Sequence, residues 1–158
     1  DMNAVQSHKR PLKNGIDFGF VGDVDHVNGY ALQLLLQQGI APVMAPLTHD
    51  RQGNILNTNA DTMASEVAKA LSRFFNVTLI YCFEKPGVLR NPADEASLIP
   101  VITREEFSGY VADGTVSGGM IPKLENALAA VDHGVSKVII TLATAIDRKH
   151  GTVIQRRK

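Results

Sequence analysis

Two apolar runs constrain this chain more than anything else in it: residues 77–83, Val-Thr-Leu-Ile-Tyr-Cys-Phe, and residues 137–142, Lys-Val-Ile-Ile-Thr-Leu. Runs this short and rich in β-branched residues read as strands covered on both faces, as in a parallel sheet. Between and before them the apolar spacing changes to that of a helix. Ala31, Leu32, Leu35 and Leu36 form one stripe, Met63, Ala64, Val67, Ala68 and Leu71 a second, and Leu124, Ala127, Leu128 and Val131 a third. Strand and helix alternation predicts an α/β chain, a three-layer αβα sandwich with a mainly parallel central sheet.

Capping chemistry marks the helix boundaries. Asn28 is placed to cap a helix that runs to about Gln38, with Gly39 just beyond it as the left-handed residue. Thr103 and Glu106 form a capping box ahead of a helix carrying Phe107, Tyr110 and Val111, which Gly114 ends. Gly134 ends the last helix. Residues 1–17 read as a polar loop with a turn at Asn14-Gly15, residues 18–24 as a strand or hairpin arm, and 40–47 as a strand interrupted by Pro42 and Pro46. Short strands are expected at Ile55-Leu56 and at 152–154, and a loop over 84–97. One domain over 18–158 is the predicted organisation.

Composition narrows the function classes. Acidic and basic residues balance at 16 each, so no net charge favours a polyanion, and no nucleic-acid partner is expected. The basic end Gln155-Arg156-Arg157-Lys158 reads as a solvated tail, with a phosphate or nucleic-acid contact as the other reading. No run approaches the length of a membrane span, and the first residues carry no signal-peptide pattern, so a cytoplasmic protein with no membrane partner is expected. The single cysteine, Cys82, forbids an intrachain disulfide and reads as a buried small hydrophobe. The five histidines show no metal-ligand spacing, so no protein-held metal is predicted.

Two helix entrances carry the chemistry. Gly118, Gly119 and Met120 precede Pro122 and Lys123, and Asn57-Thr58-Asn59-Ala60-Asp61 opens an earlier helix. Glycines before a helix let backbone approach an anion, whose charge the helix N-terminus favours, and Lys123 lies within reach of the same anion. Pro122 fits a first turn, where no donor is needed. Close packing and a cap is the other reading of Gly118-Gly119. Likewise Asn59 or Asp61 reads either as an N-cap or as part of a site, with Asn59 a donor–acceptor fork and Asp61 an organiser of lysine charge. Neither a P-loop nor a Gly-x-Gly-x-x-Gly fingerprint is present.

An ordered set of motifs resembles the amino-acid kinase family, and within it the acylglutamate kinases. The set runs from Gly19-Phe20-Val21-Gly22-Asp23-Val24 through Asn28 and Asn57-Thr58-Asn59-Ala60-Asp61 to Pro86-Gly87-Val88-Leu89. It continues with Asp113-Gly114-Thr115-Val116-Ser117-Gly118-Gly119-Met120, Pro122-Lys123 and Gly151-Thr152. The resemblance implies transfer of the γ-phosphoryl group of ATP to the side-chain carboxylate of N-acetylglutamate or another N-acylglutamate, as in arginine biosynthesis; the other readings are a different phosphotransferase of the same family or a non-catalytic nucleotide-binding module. Mg²⁺ would be held mainly by the nucleotide phosphates. It implies that Lys123 stabilises the transferring group and Asp61 organises catalytic lysines. Asn59 and Asn57 would bind the acylglutamate. Gly118, Gly119 and Met120 would shape the turn beside the nucleotide, and Phe83, Glu84, Gly87 and Leu89 the loop that receives its adenosine.

Two departures from the family pattern stand out. Glu84 occupies a place two residues before Pro86-Gly87 where the family usually carries aspartate. The family's opening strand and Gly-Gly-Lys loop, which supply a second lysine and much of the acceptor pocket, have no counterpart in these residues. The resemblance therefore implies the C-terminal, nucleotide-binding portion of such a kinase, with the N-terminal half missing. The chain alone is expected to turn over little, and its full-length parent to be a homo-oligomer.

Overall fold

The computed structural model describes residues 2–146 and 150–156. The chain divides into two compact units, Asp1–Phe74 and Phe75–Lys158.

The first unit holds a four-stranded sheet in the order β2-β1-β3-β4, formed by β1 (Val5–Lys9), β2 (Gly22–Val27), β3 (Leu47–His49) and β4 (Ile55–Asn57). β1 pairs antiparallel with β2 and parallel with β3, and β3 pairs antiparallel with β4. Helices α1 (Gly29–Gln37) and α2 (Ala60–Leu71) complete the unit. Val5, Val27, Leu32 and Met63 form its core, joined by Ala4, Val24, Met44, Val67, Ala70 and Leu71. Asn28 caps α1 through the Ala31 amide, and Gly39 takes φ +74 just past its end, both as expected.

Three sequence readings change here. β1 lies inside the segment read as loop, because its outward positions are Gln6, His8 and Lys9 and only Val5 and Ser7 are buried. β2 begins at Gly22, beyond Phe18 and Phe20, and its Asp23, Asp25 and His26 break the apolar alternation that a strand normally shows. Residues 40–46 form no strand. Pro42 and Pro46 have no N–H to give a ladder, so pairing starts only at Leu47.

The second unit carries the sheet β5-β7-β8-β6, built from β5 (Thr78–Phe83), β6 (Val101–Ile102), β7 (Lys137–Leu142) and β8 (Thr152–Ile154). β5 and β7 run parallel over all six residues of each, β6 and β8 run parallel over two, and β7 and β8 pair antiparallel. The parallel expectation thus holds for these two pairings, and each unit's sheet as a whole is mixed. Helices α3 (Arg104–Ala112) and α4 (Met120–Asp132) accompany it. α4 buries Leu124, Ala127, Leu128, Ala130 and Val131 at 2% exposure or less. Each fully buried leucine contributes roughly 1.5–3 kcal/mol. The capping box at Thr103 and Glu106 is formed in both directions.

The strand at 77–82 was expected to be covered on both faces. β5 is instead an edge of its sheet, with only Tyr81 buried, and Cys82 is exposed. Side chains alternate along a strand, so Cys82 faces away from Tyr81. At the basic tail, Arg156 donates to the Asp132 carbonyl at 2.6 Å, while Arg157 and Lys158 lie outside the described residues.

Thr152 ties the long loop after β5 to the sheet. Its hydroxyl is fully buried, accepts from the Val88 amide at 2.8 Å and donates to the Ile99 carbonyl at 2.7 Å. Gly87 makes room for it, and Gly151 lets the chain ahead of it pass close to β7. A Cβ on Gly87 would lie 2.6 Å from Thr152 Oγ1, and one on Gly151 2.4 Å from the Ile140 carbonyl oxygen. The Thr152→Val variant keeps the shape and strands a buried donor and acceptor. It is expected to lower stability by about 1–3 kcal/mol in urea unfolding. Cys82, in turn, is expected to react with Ellman's reagent in the folded chain without denaturant.

Candidate phosphoryl-transfer site

The residues singled out from sequence fall into two groups, one in each unit. In the first unit Asn57, Asn59 and Asp61 sit at the junction of β4 and α2. Buried threonines hold this junction. Thr58 Oγ1 donates to the Gly22 carbonyl at 3.2 Å and meets Thr48 Oγ1 at 3.1 Å. The Thr58 amide donates to the Pro46 carbonyl at 2.9 Å, and the Asn57 amide to the Phe20 carbonyl at 2.7 Å. Polar side chains on either side of Thr58 are thereby presented on a fixed backbone, with Asn57 and Asn59 exposed and Asp61 half-buried.

Asn59 is the N-cap of α2. Its Oδ1 accepts from the Thr62 amide at 2.9 Å and the Thr62 hydroxyl at 3.2 Å. That oxygen is engaged, so substrate recognition at Asn59 would draw on its amide NH₂. Asp61 lies in the first turn, where the helix dipole favours its charge.

In the second unit Gly118 takes φ +55, a left-handed conformation that favours glycine. Gly119 has φ −66, and a Cβ on either glycine would meet nothing within 4 Å. Close packing is therefore not the reason for the pair. Among the described residues no side chain caps α4. Its opening amides are partly spent, however: Met120 donates to the Ser117 carbonyl and Ile121 to the Gly118 carbonyl, each at 3.2 Å, and Pro122 has no N–H. The expected cradle of free first-turn amides is correspondingly reduced, because the turn folds back on itself before the helix begins. Positive charge at this end comes from Lys123.

Lys123 is half-buried and lies over two aromatic rings of β5. Its Nζ is 4.9 Å from the centroid of Tyr81 and 5.9 Å from that of Phe83. Both lie within cation–π range, worth about 0.5–2 kcal/mol according to desolvation. Tyr81 was not anticipated as part of the site. Its signal in the sequence was the i, i+2 aromatic spacing with Phe83, which puts both rings on one strand face.

The loop after β5 separates its predicted members. Glu84 is exposed at the strand end, whereas Gly87 and Leu89 are buried, with Leu89 paired to Leu98. Gly87 and Leu89 fold the loop, which leaves Glu84 exposed. Beyond it, Arg90 donates to the Tyr110 hydroxyl at 3.1 Å and lies over that ring. The Thr115 amide holds the Asp113 carboxyl below the usual range, so the turn leading to Gly118 keeps its anion. Among the described residues no group of three or more His, Cys, Asp or Glu is placed to hold a metal ion, and no helix is long and apolar enough to cross a membrane.

Comparison with known proteins decides the family. The model of the amino acid kinase family matches residues 2–142. The chain belongs to the amino acid kinase family. Its relatives include the acetylglutamate kinase of Phocaeicola vulgatus, 62% identical over 156 residues, and that of Bacteroides thetaiotaomicron, 60% identical over the same length. Each match covers 99% of this chain and 60% of the relative, so the chain spans about three-fifths of those proteins. N-acetylglutamate synthase from Neisseria gonorrhoeae, solved with coenzyme A and L-arginine, superposes with a TM-score of 0.85 at 22% identity, over 98% of this chain and 37% of that one. That likeness establishes the α/β sandwich of this family as the fold here.

Away from the predicted site, the first unit of this family member carries a bidentate ion pair. Arg10 Nη2 and Nε reach Asp23 at 2.6 and 3.1 Å. The Arg10 hydrogen bonds, and then its charge, hold the Asp23 carboxyl below the ordinary aspartate range against partial burial. A depressed folded-state value stabilises the fold above the unfolded aspartate value of about 3.9. That contribution is lost as pH falls through the lower, folded value. Both side chains are more than a third exposed, which limits the contribution to about 1 kcal/mol or less. Chemical unfolding of Asp23→Asn against the parent chain is expected to show a gap at pH 7 that closes on acidification below pH ~4.

Proposed function

We propose that this chain works within an acetylglutamate kinase, transferring the γ-phosphoryl group of ATP to the side-chain carboxylate of N-acetylglutamate. The identity of 62% with the Phocaeicola vulgatus acetylglutamate kinase across 156 residues carries this reading. The arrangement of Lys123 supports it: an ammonium group at the end of β5, beside an uncapped helix N-terminus whose glycines leave open space.

The chemistry asks little covalent work of the protein. The acceptor carboxylate is already ionised at neutral pH, so no general base is needed. One of its oxygens attacks the γ-phosphorus, the bond from that phosphorus to the β–γ bridging oxygen breaks, and ADP leaves with the electron pair. No proton moves, and no covalent enzyme intermediate forms. What remains is positioning and cancellation of charge on the transferring group. Lys123 supplies that charge. Mg²⁺ arrives with ATP as part of the substrate, held by the phosphates. Asn57 and Asn59 bind the acylglutamate, and Asp61 organises lysine charge. Glu84 meets the nucleotide. The reading places the enzyme in the cytoplasm, as a homo-oligomer, in arginine biosynthesis.

The longest protein encoded by the reading frame that contains these residues is the one to assay, with hydroxylamine trapping the acyl phosphate. ATP-dependent hydroxamate formation from N-acetylglutamate is expected. Lys123→Ala is expected to lower kcat by about 10²–10³ while ATP affinity changes little. Wild-type turnover by Lys123→Ala, or product from free glutamate or carbamate but none from N-acetylglutamate, would overturn the proposal.

A further inference from the structure

We infer that Tyr81 and Phe83 are positioning residues for Lys123, a two-ring platform that sets where its ammonium group stands. The inference rests on the reading of Lys123 as the group that stabilises the transferring phosphoryl. Lysine carries a compact charge on a flexible four-carbon stem, and holding that stem in one place costs conformational entropy. A group that must meet charge as it develops in a transition state gains from being placed beforehand, since a displacement of about 1 Å can cost about 10²-fold in rate.

The geometry supplies that placement from elements within one unit. Tyr81 and Phe83 stand two residues apart on β5 and so share a face. β5 is locked to β7 through six consecutive parallel partners, with Tyr81 opposite Ile140 and Phe83 opposite Leu142. Tyr81 is only 4% exposed, so packing fixes its ring. Lys123 stands in the opening turns of α4, a helix anchored by fully buried Leu124 directly after it. The ammonium lies 4.9 Å from one ring and 5.9 Å from the other. A ring face attracts a cation through its quadrupole, without the full negative charge by which a carboxylate would cancel it. The role differs from the one expected for Phe83, which was contact with the nucleotide's adenosine.

Phe83 carries the test, because it is half-buried and Phe83→Leu keeps apolar bulk at the strand end. In the longest encoded protein, Phe83→Leu is expected to lower kcat about tenfold with KM for ATP changed less than about twofold, and Phe83→Tyr to recover most of kcat. A second readout needs no turnover. In NMR spectra of the 158-residue chain, ring currents are expected to shift the Lys123 Hε resonances upfield, and Phe83→Leu to return them toward the ordinary lysine position. An ATP KM that rises with kcat unchanged would overturn the inference and give the ring to the nucleobase. Hε resonances that do not respond to loss of the ring would overturn it as well. Lys123→Met separates the two levels of argument. Loss of turnover in Lys123→Met beside a wild-type kcat in Phe83→Leu sinks the platform alone, whereas wild-type turnover in Lys123→Met sinks the role of Lys123 and the platform with it.

Discussion

The parallel register of β5 against β7 is the constraint from which the candidate site in the second unit hangs. Thr78 to Phe83 pair residue for residue with Lys137 to Leu142, and nothing in that ladder slips. A shift of one residue would turn Tyr81 and Phe83 to the opposite face and bring Cys82 to theirs. The register is held because β7 buries Val138, Ile139, Ile140 and Thr141 almost completely, so a slip would expose core. On this base the loop after β5 is pulled down by a single hydroxyl. Thr152 satisfies the Val88 amide and the Ile99 carbonyl at once, inside a space that Gly87 leaves open. The loop that follows the strand is therefore a built element, folded to present Glu84 while Leu89 stays inside.

The first unit solves a similar problem with different chemistry. Its sheet is short, and polar residues outnumber apolar ones in β2. Buried threonines at 48 and 58 knit β2, β3 and the junction before α2 through hydroxyl contacts to the Gly22 and Leu56 carbonyls. Small polar side chains can do this because each hydroxyl both donates and accepts, so a pair can satisfy several backbone groups where apolar packing is thin. The result is a rigid seat for Asn57, Asn59 and Asp61. In both units a buried threonine beside a glycine fixes the backbone that displays the polar residues.

Much of this was legible in the sequence. Asn28, Asn59 and the Thr103–Glu106 box declared their helices through local hydrogen-bond chemistry, which needs only residues three apart. The apolar stripes of α2 and α4 followed from helical period. Less legible were β1 and β2, whose outward positions carry lysine, histidine and aspartate, and the stretch through Pro42 and Pro46, apolar without being a strand. Hydrophobic pattern reports burial, and these segments are defined by pairing. Cys82 makes the same point from the other side: it sits in an apolar run and is exposed.

By itself, then, the sequence determined the helices, the two long strands of the second unit, the family and the identity of the chemically capable residues. Each of these depends on near neighbours in the chain or on an ordered set of motifs. Only the tertiary structure decided what those residues face. It turned the opening amides of α4 back onto Ser117 and Gly118, spent the oxygen of Asn59 on a cap, buried Leu89 and set Lys123 over Tyr81. Such outcomes depend on strand register and helix placement across dozens of residues, and local preference carries no record of where two distant surfaces meet.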